Sequence, residues 1–248
     1  MSQFESMNAT GYGPKFSSVW EEHFGVLRDT DQAVDLLAEL ADGRPVLEYG
    51  VGMGRLALPL QDRGLQVHGV DNSPWMVEQL RKKPGGETLP ITMGDFATVP
   101  VDGRFGLVVL AYSTFAALAD QELQIKCFQN AKKHLDAGGL FVLEVMSLHD
   151  LPAENGRCLT ASVDTDSVML IARRVDVVTQ EVYECAVILR DGELPRVHPE
   201  ASRYSSPSEL DLMARIAGMR LRDRWGGWDR RPFAPHDRAH VSVYEAIT

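Results

Sequence analysis

Val46-Leu47-Glu48-Tyr49-Gly50-Val51-Gly52-Met53-Gly54-Arg55 is the stretch that decides the fold. A short apolar run, residues 45–50, reads as a buried strand. It meets three alternate glycines, and residues 54–64 then read as a helix that stops at Gly64. Glycines without Cβ atoms let the chain turn tightly and let a ligand lie against the backbone. The helix start presents free N–H groups and a positive dipole end, which suits a carboxylate or phosphate. The pattern is G-x-G-x-G rather than G-x-G-x-x-G, and an acid, Glu48, stands two residues before the first glycine.

The same alternation continues outward. Upstream, residues 31–40 place Val34, Leu36, Leu37 and Leu40 at helical spacing, with Gly43 as the stop. Downstream, residues 66–71 read as a second strand, and residues 73–83 as a helix with Ser73 as cap and Pro74 in its first turn. Residues 89–95, 105–112 and 138–146 read as further strands, with an amphipathic helix over 120–135. Apolar strands alternating with helices predict a parallel sheet covered on both faces. From 158 to 204 the pattern changes to two or three strands without helices, including an antiparallel pair at 168–177 and 181–189. Ser206 and Glu209 have capping-box spacing for a helix ending at Gly218, and strands at 219–225 and 240–247 finish the chain.

Two further acids fall at the same sheet edge. Asp71 ends the second strand, at a spacing that lets it accept hydrogen bonds from ribose hydroxyls. Asp95 follows the third strand beside Phe96, an acceptor and a flat apolar face suited to an adenine amino group and ring. Open α/β sheets bind ligands outside the carboxyl ends of their strands, so these residues point to a nucleoside-type ligand.

These segments resemble the class I S-adenosylmethionine (SAM)-dependent methyltransferases. LEYGVGMGR is similar to their first motif, VDNSPWM to the second, and GDF to the acid after the third strand. AYSTFAAL is similar to the fourth motif and LDAGGLFVLEV to the helix-to-fifth-strand signature. The resemblance covers about 31–147, and the tail from Met219 resembles the family's final hairpin. Tyr49 and Met53 replace the commoner Leu and Thr or Ser. It implies a Rossmann-like, seven-stranded, mostly parallel sheet with helices on both faces and a small antiparallel β insertion before the last helix. The expected division is a lid or helical segment over 1–30, a SAM-binding core over 31–157, an insertion over 158–204 that contributes to the acceptor pocket, and the last helix and strand pair over 205–248.

The resemblance also implies roles. Glu48 and the backbone of Gly50, Gly52 and Gly54 would hold the methionine part of SAM, or of its product S-adenosylhomocysteine (SAH), with Arg55 beside them. Asp71 would hold the ribose, Asn72 and Met76 would lie near the adenosine, and Asp95 and Phe96 would take the adenine. Ala111 and Tyr112 would face the sulfonium, and Tyr12, then Trp20, are candidates to close over the cofactor.

AYST stands where base amino-methyltransferases carry an Asn/Asp-Pro-Pro-aromatic motif. The chain also has 35 acidic against 25 Lys and Arg residues, a formal net charge of -10. A small-molecule acceptor is therefore expected rather than nucleic acid or anionic lipid. The acceptor pocket is expected from the N-terminal segment, Tyr112 and Ser113, the loop after 146, and the insertion, with Arg203 and Tyr204 at its mouth. His149 is the candidate general base for a hydroxyl acceptor, with Tyr112 as donor or aromatic wall. His134, at a helix end, is expected to answer the helix dipole. No metal is expected. The start of the chain lacks signal-peptide character, no apolar run reaches membrane length, and three scattered cysteines build no disulfide framework. A cytoplasmic monomer or homodimer is the expectation. The alternatives are a SAM-binding protein without methyl transfer and a nicotinamide dehydrogenase, against which Glu48 and the displaced third glycine argue.

Overall fold

The computed structural model describes Phe4, Met7, residues 29–146 and residues 156–247. Tyr12, Trp20 and His149 lie outside the described residues, as does most of the lid or helical segment expected over 1–30.

The first helix, α1, is Thr30–Ala41, and the first strand, β1, is Val46–Tyr49. Helix α2 (Ala57–Asp62), strand β2 (Val67–Asp71), helix α3 (Pro74–Arg81), and strands β3 (Ile91–Met93) and β4 (Phe105–Leu110) follow. A 3-10 turn (Thr114–Ala117) leads to helix α4 (Gln121–His134) and strand β5 (Leu135–Met146). Strands β6 (Cys158–Val163), β7 (Ser167–Asp176), β8 (Glu181–Arg190) and β9 (Arg196–Arg203) precede helix α5 (Pro207–Ile216) and strands β10 (Met219–Trp225) and β11 (Ala239–Ala246). Seven strands form one sheet in the order β10-β11-β5-β4-β1-β2-β3, and β6 to β9 form a separate four-stranded antiparallel sheet.

In the large sheet β1 pairs in parallel with β2 on one side and β4 on the other. The strand order reverses there, which is where such sheets open a crevice for a ligand. Strand β11 closes antiparallel on β5 and β10. Successive residues serve opposite faces. Leu47, Tyr49, Val108, Leu110 and Phe141 pack towards α4 and α5, through Phe128 and Leu210. Val46, Leu107, Val109 and Val142 pack towards α1 and α2, through Leu37 and Leu60.

The insertion has four strands where the sequence predicted two or three. Strand β6 is almost wholly exposed, and β9 is polar and contains Pro199, so neither carries an apolar alternation. An edge strand tolerates that composition, because one row of its backbone groups needs no partner. Helix α2 starts at Ala57 rather than 54, since Gly54 holds φ +81° and the turn runs on to Leu56. Ser206 caps α5 by accepting from the Glu209 N–H at 3.2 Å. Only half of the capping box forms, because the Glu209 carboxylate accepts from Gln121, Gln180 and Arg203 instead.

His134 corrects its expected role. Its Nε2 accepts the Val101 N–H at 2.9 Å and its Nδ1 pairs with the Tyr49 hydroxyl at 2.7 Å. A ring that accepts at Nε2 is neutral, so it adds no positive charge to the helix end. Burial, with help from Arg104, Lys133 and His68, holds its pKa below the usual 6.5. The unfolded chain then binds the extra proton, so this group's stabilisation is present above the unfolded pKa and lost as pH falls below it. Stability should decline as pH drops below about 6.5. Replacing His134 by Gln should reduce that slope by up to about 1.4 kcal/mol per pH unit, measured by urea unfolding across pH 4 to 8.

Candidate cofactor and acceptor site

The glycine turn adopts the backbone its sequence demands. Gly50, Gly52 and Gly54 have φ of +66°, +51° and +81°. A Cβ on Gly50 would lie 2.7 Å from the Thr114 Cγ2, so the turn is wedged against the segment after β4. Replacing Gly50 by Ala should cost roughly 1–3 kcal/mol in unfolding free energy, from the left-handed backbone and the clash together. Adding Thr114→Ser removes the clashing methyl and should recover part of it. No recovery would mean that backbone strain carries the whole effect.

Asp71, at the end of β2, ties the turn down. Its Oδ2 accepts the Gly52 N–H at 2.7 Å and its Oδ1 accepts the Ser73 N–H at 2.8 Å. Burial raises its pKa, and these backbone donors pull against the rise. Glu48, next to last in β1, is almost wholly buried, and its Oε2 has no hydrogen-bond partner. Burial pushes its pKa up to about 8, opposed by Arg55. A buried orphan carboxyl oxygen beside an open glycine turn fits a ligand that brings its own cation or hydrogen-bond donor. Arg55 donates to Thr30 Oγ1 at 3.2 Å, and its guanidinium lies 5.8 Å from the centre of the Tyr112 ring.

Beyond β2, Asn72 is exposed, while Met76 is buried in the first turn of α3 and donates its N–H to Ser73 Oγ at 3.2 Å. Asp95 sits past β3, and its Oδ1 accepts the Ala97 N–H at 2.8 Å. Phe96 differs from its expected role as an adenine face. It is buried in the core and stacks on Tyr49, with ring centroids 5.8 Å apart. Ala111 is buried at the end of β4, and Tyr112 beyond it is 39% exposed. Tyr112 and Ser113 both hold left-handed backbones, at φ +55° and +57°.

Glu48, Asp71, Asp95, Ala111 and Tyr112 therefore share the carboxyl edge of the sheet around the β1–β4 switch point. Arg203 has a different place: its guanidinium is bound by Gln124, Ser205, Gln180 and Glu209 in a buried cluster. Tyr204 packs against Val175 and Val182 of the small sheet. Two residues that the sequence reading did not place in the site join the edge. The Glu144 carboxylate, on β5, accepts the Tyr112 N–H at 2.6 Å and the Trp228 indole N–H at 2.9 Å. A single acid in the otherwise apolar run Phe141 to Met146 was the available signal.

Residues 46–139 match the sequence family described as a methyltransferase domain. The cypemycin N-terminal methyltransferase of a Streptomyces species is 27% identical over 206 residues, 82% of this chain and 84% of that protein. The solved CcbJ methyltransferase of Streptomyces caelestis superposes with a TM-score of 0.91 at 35% identity, covering 96% of this chain and 99% of that one. An amino pentose methyltransferase of Micromonospora echinaspora, solved with SAM bound, has a TM-score of 0.69 at 17% identity, covering 94% and 97%, and shares the fold. The chain belongs to the class I SAM-dependent methyltransferases.

Proposed function

We propose that this methyltransferase moves the methyl group of SAM to a nitrogen or oxygen atom of a small-molecule acceptor by in-line displacement. The observation that carries this reading is the meeting of Glu48, Asp71, Asp95 and Tyr112 at one edge of the sheet. When bound, SAM supplies a methyl group on a positive sulfur and leaves as the neutral thioether SAH. Glu48, whose buried oxygen lacks a partner, and the Gly50–Gly54 backbone hold the methionine part, with Arg55 beside them. Asp71 accepts from the ribose hydroxyls, Asn72 and Met76 border the adenosine, and Asp95 accepts from the adenine amino group. Ala111 and Tyr112 face the sulfur, and Tyr112 and Ser113 wall the acceptor side.

An amine acceptor is the better supported of the two. Two of the named relatives are an N-terminal methyltransferase and an amino pentose methyltransferase. An amine needs only to be neutral and aligned, whereas a hydroxyl of high pKa wants a base within hydrogen-bond reach. His149 would serve a hydroxyl, and it lies outside the described residues. The net charge of -10 supports a neutral or cationic small molecule over nucleic acid. Among the described residues no helix is long and apolar enough to cross a membrane.

Calorimetric titration with SAH, with NADH as control, tests the cofactor site. Micromolar binding of SAH alone supports it; no binding of SAH, or a preference for NADH, sinks it. Incubation with SAM and a panel of peptide N-terminal amines, amino sugars and hydroxyl analogues, read by mass spectrometry, tests the acceptor class. Methylation of the hydroxyl analogues alone would overturn the amine preference.

A further inference from the structure

Tyr112 and Ser113 stand in a conformation that L residues leave unless their surroundings hold them, φ +55° and +57° in succession. The holding groups come mainly from one short piece of β5. The Tyr112 N–H donates to Glu144 Oε2 at 2.6 Å, and the Ser113 N–H donates to the Glu144 carbonyl at 3.2 Å. The Met146 N–H donates to Ser113 Oγ at 2.7 Å. The other Glu144 oxygen, Oε1, accepts the Trp228 indole N–H at 2.9 Å, so the turn after β10 braces the carboxylate from behind. Burial raises the Glu144 pKa, and the Tyr112 N–H, Arg55 and the Trp228 N–H pull against the rise, each favouring the acceptor-only, ionised form. The Arg55 guanidinium, beside the Tyr112 ring, supplies compensating positive charge.

We infer that Glu144 is a positioning residue for methyl transfer. It fixes the Tyr112–Ser113 turn so that the Tyr112 ring stays at the point where the methyl group changes hands, and Trp228 locks the carboxylate in place. The inference rests on the reading that the ends of β1 to β4 hold SAM. Glu144 acts through the Tyr112 N–H that its Oε2 holds, with Trp228 on its Oε1, and it is given no contact with the cofactor.

Glu144→Gln keeps the shape but offers one acceptor oxygen to two donors. Three results are expected. SAH affinity by calorimetry stays within about threefold of wild type, since no cofactor contact is removed. In the SAH complex, amide exchange in the peptide spanning 111–116 speeds up by about tenfold or more, the loss of one charge-assisted hydrogen bond. With the amine turned over fastest in the acceptor panel, kcat falls about 10²-fold while KM moves less than about threefold, as misalignment predicts. A residue needed for folding alone would not split kcat from KM. Should Glu144→Gln fail to fold, Trp228→Phe removes one brace and should give the same split at roughly three- to tenfold in kcat. Unchanged exchange and unchanged kcat in folded variants would overturn the inference, as would a fall in SAH affinity that matches the fall in kcat. Failure of the wild-type protein to bind SAH would instead overturn the cofactor site itself.

Discussion

Asp71→Ala should weaken SAH binding by about 10²–10³-fold, because hydrogen bonds to a charged acceptor contribute roughly 1.5–3 kcal/mol each. Two effects act together. The ribose loses the acceptor that its hydroxyls would share, and the glycine turn loses the carboxylate that receives the Gly52 N–H at 2.7 Å. The second effect matters because the turn has no side chains of its own at Gly50, Gly52 and Gly54 with which to hold its shape. Asp71→Asn separates them. Its amide oxygen can still accept from one hydroxyl, while its NH2 group faces a donor, so an intermediate loss is expected. Calorimetry with SAH reads both variants. Affinity within threefold of wild type for Asp71→Ala would remove the ribose from this carboxylate and move the ligand elsewhere along the edge.

The parts of this molecule that could be read from sequence are those in which one local cause dominates. Alternate glycines after an apolar strand admit few other conformations, so the turn and the acids flanking it, Glu48 and Asp71, fell where expected. The large sheet followed from apolar runs that have no polar face to spare, such as residues 105–110. What escaped depends on pairing across long stretches of chain. Strands β6 and β9 carry little hydrophobic pattern, and it is the neighbouring strands β7 and β8 that make them strands. Phe96 reads as an open aromatic face until Tyr49, far away in sequence, is seen stacked on it. Glu144 looks like an acid misplaced in an apolar strand until the Tyr112 N–H and the Trp228 indole arrive from two other elements. The left-handed backbone at Tyr112 and Ser113 has no glycine or asparagine to announce it, because tertiary bonds rather than intrinsic preference hold it.

Arg203 carries the same lesson to the largest expected loss of stability. An arginine just before the last helix reads as a residue free to meet an acceptor. In the structure its Nη1 donates to Gln124 Oε1 at 2.6 Å and Ser205 Oγ at 3.1 Å, and its Nη2 to Gln180 Oε1 at 2.7 Å and Glu209 Oε1 at 2.8 Å. It thereby joins α4, the turn after β7, and the start of α5. Truncation leaves a buried acceptor set and a carboxylate without its cation, so Arg203→Ala should lower unfolding stability by about 3–5 kcal/mol. That corresponds to a fall in Tm of roughly 6–20 °C for a chain of this size. Arg203→Lys should rescue little, since one ammonium cannot reproduce the planar fork that serves four acceptors. The pH dependence is a second readout. Burial acts to raise the Glu209 pKa, but Gln121, Arg203 and Gln180 together hold it below the usual 4.5. That contribution is present above the unfolded carboxylate range and is lost as pH falls through it. The gap in stability between wild type and Arg203→Ala should therefore narrow below about pH 4.5. SAH affinity should stay close to wild type at neutral pH. A variant with unchanged Tm but a raised KM for the acceptor would reverse the assignment and return Arg203 to the mouth of the acceptor pocket.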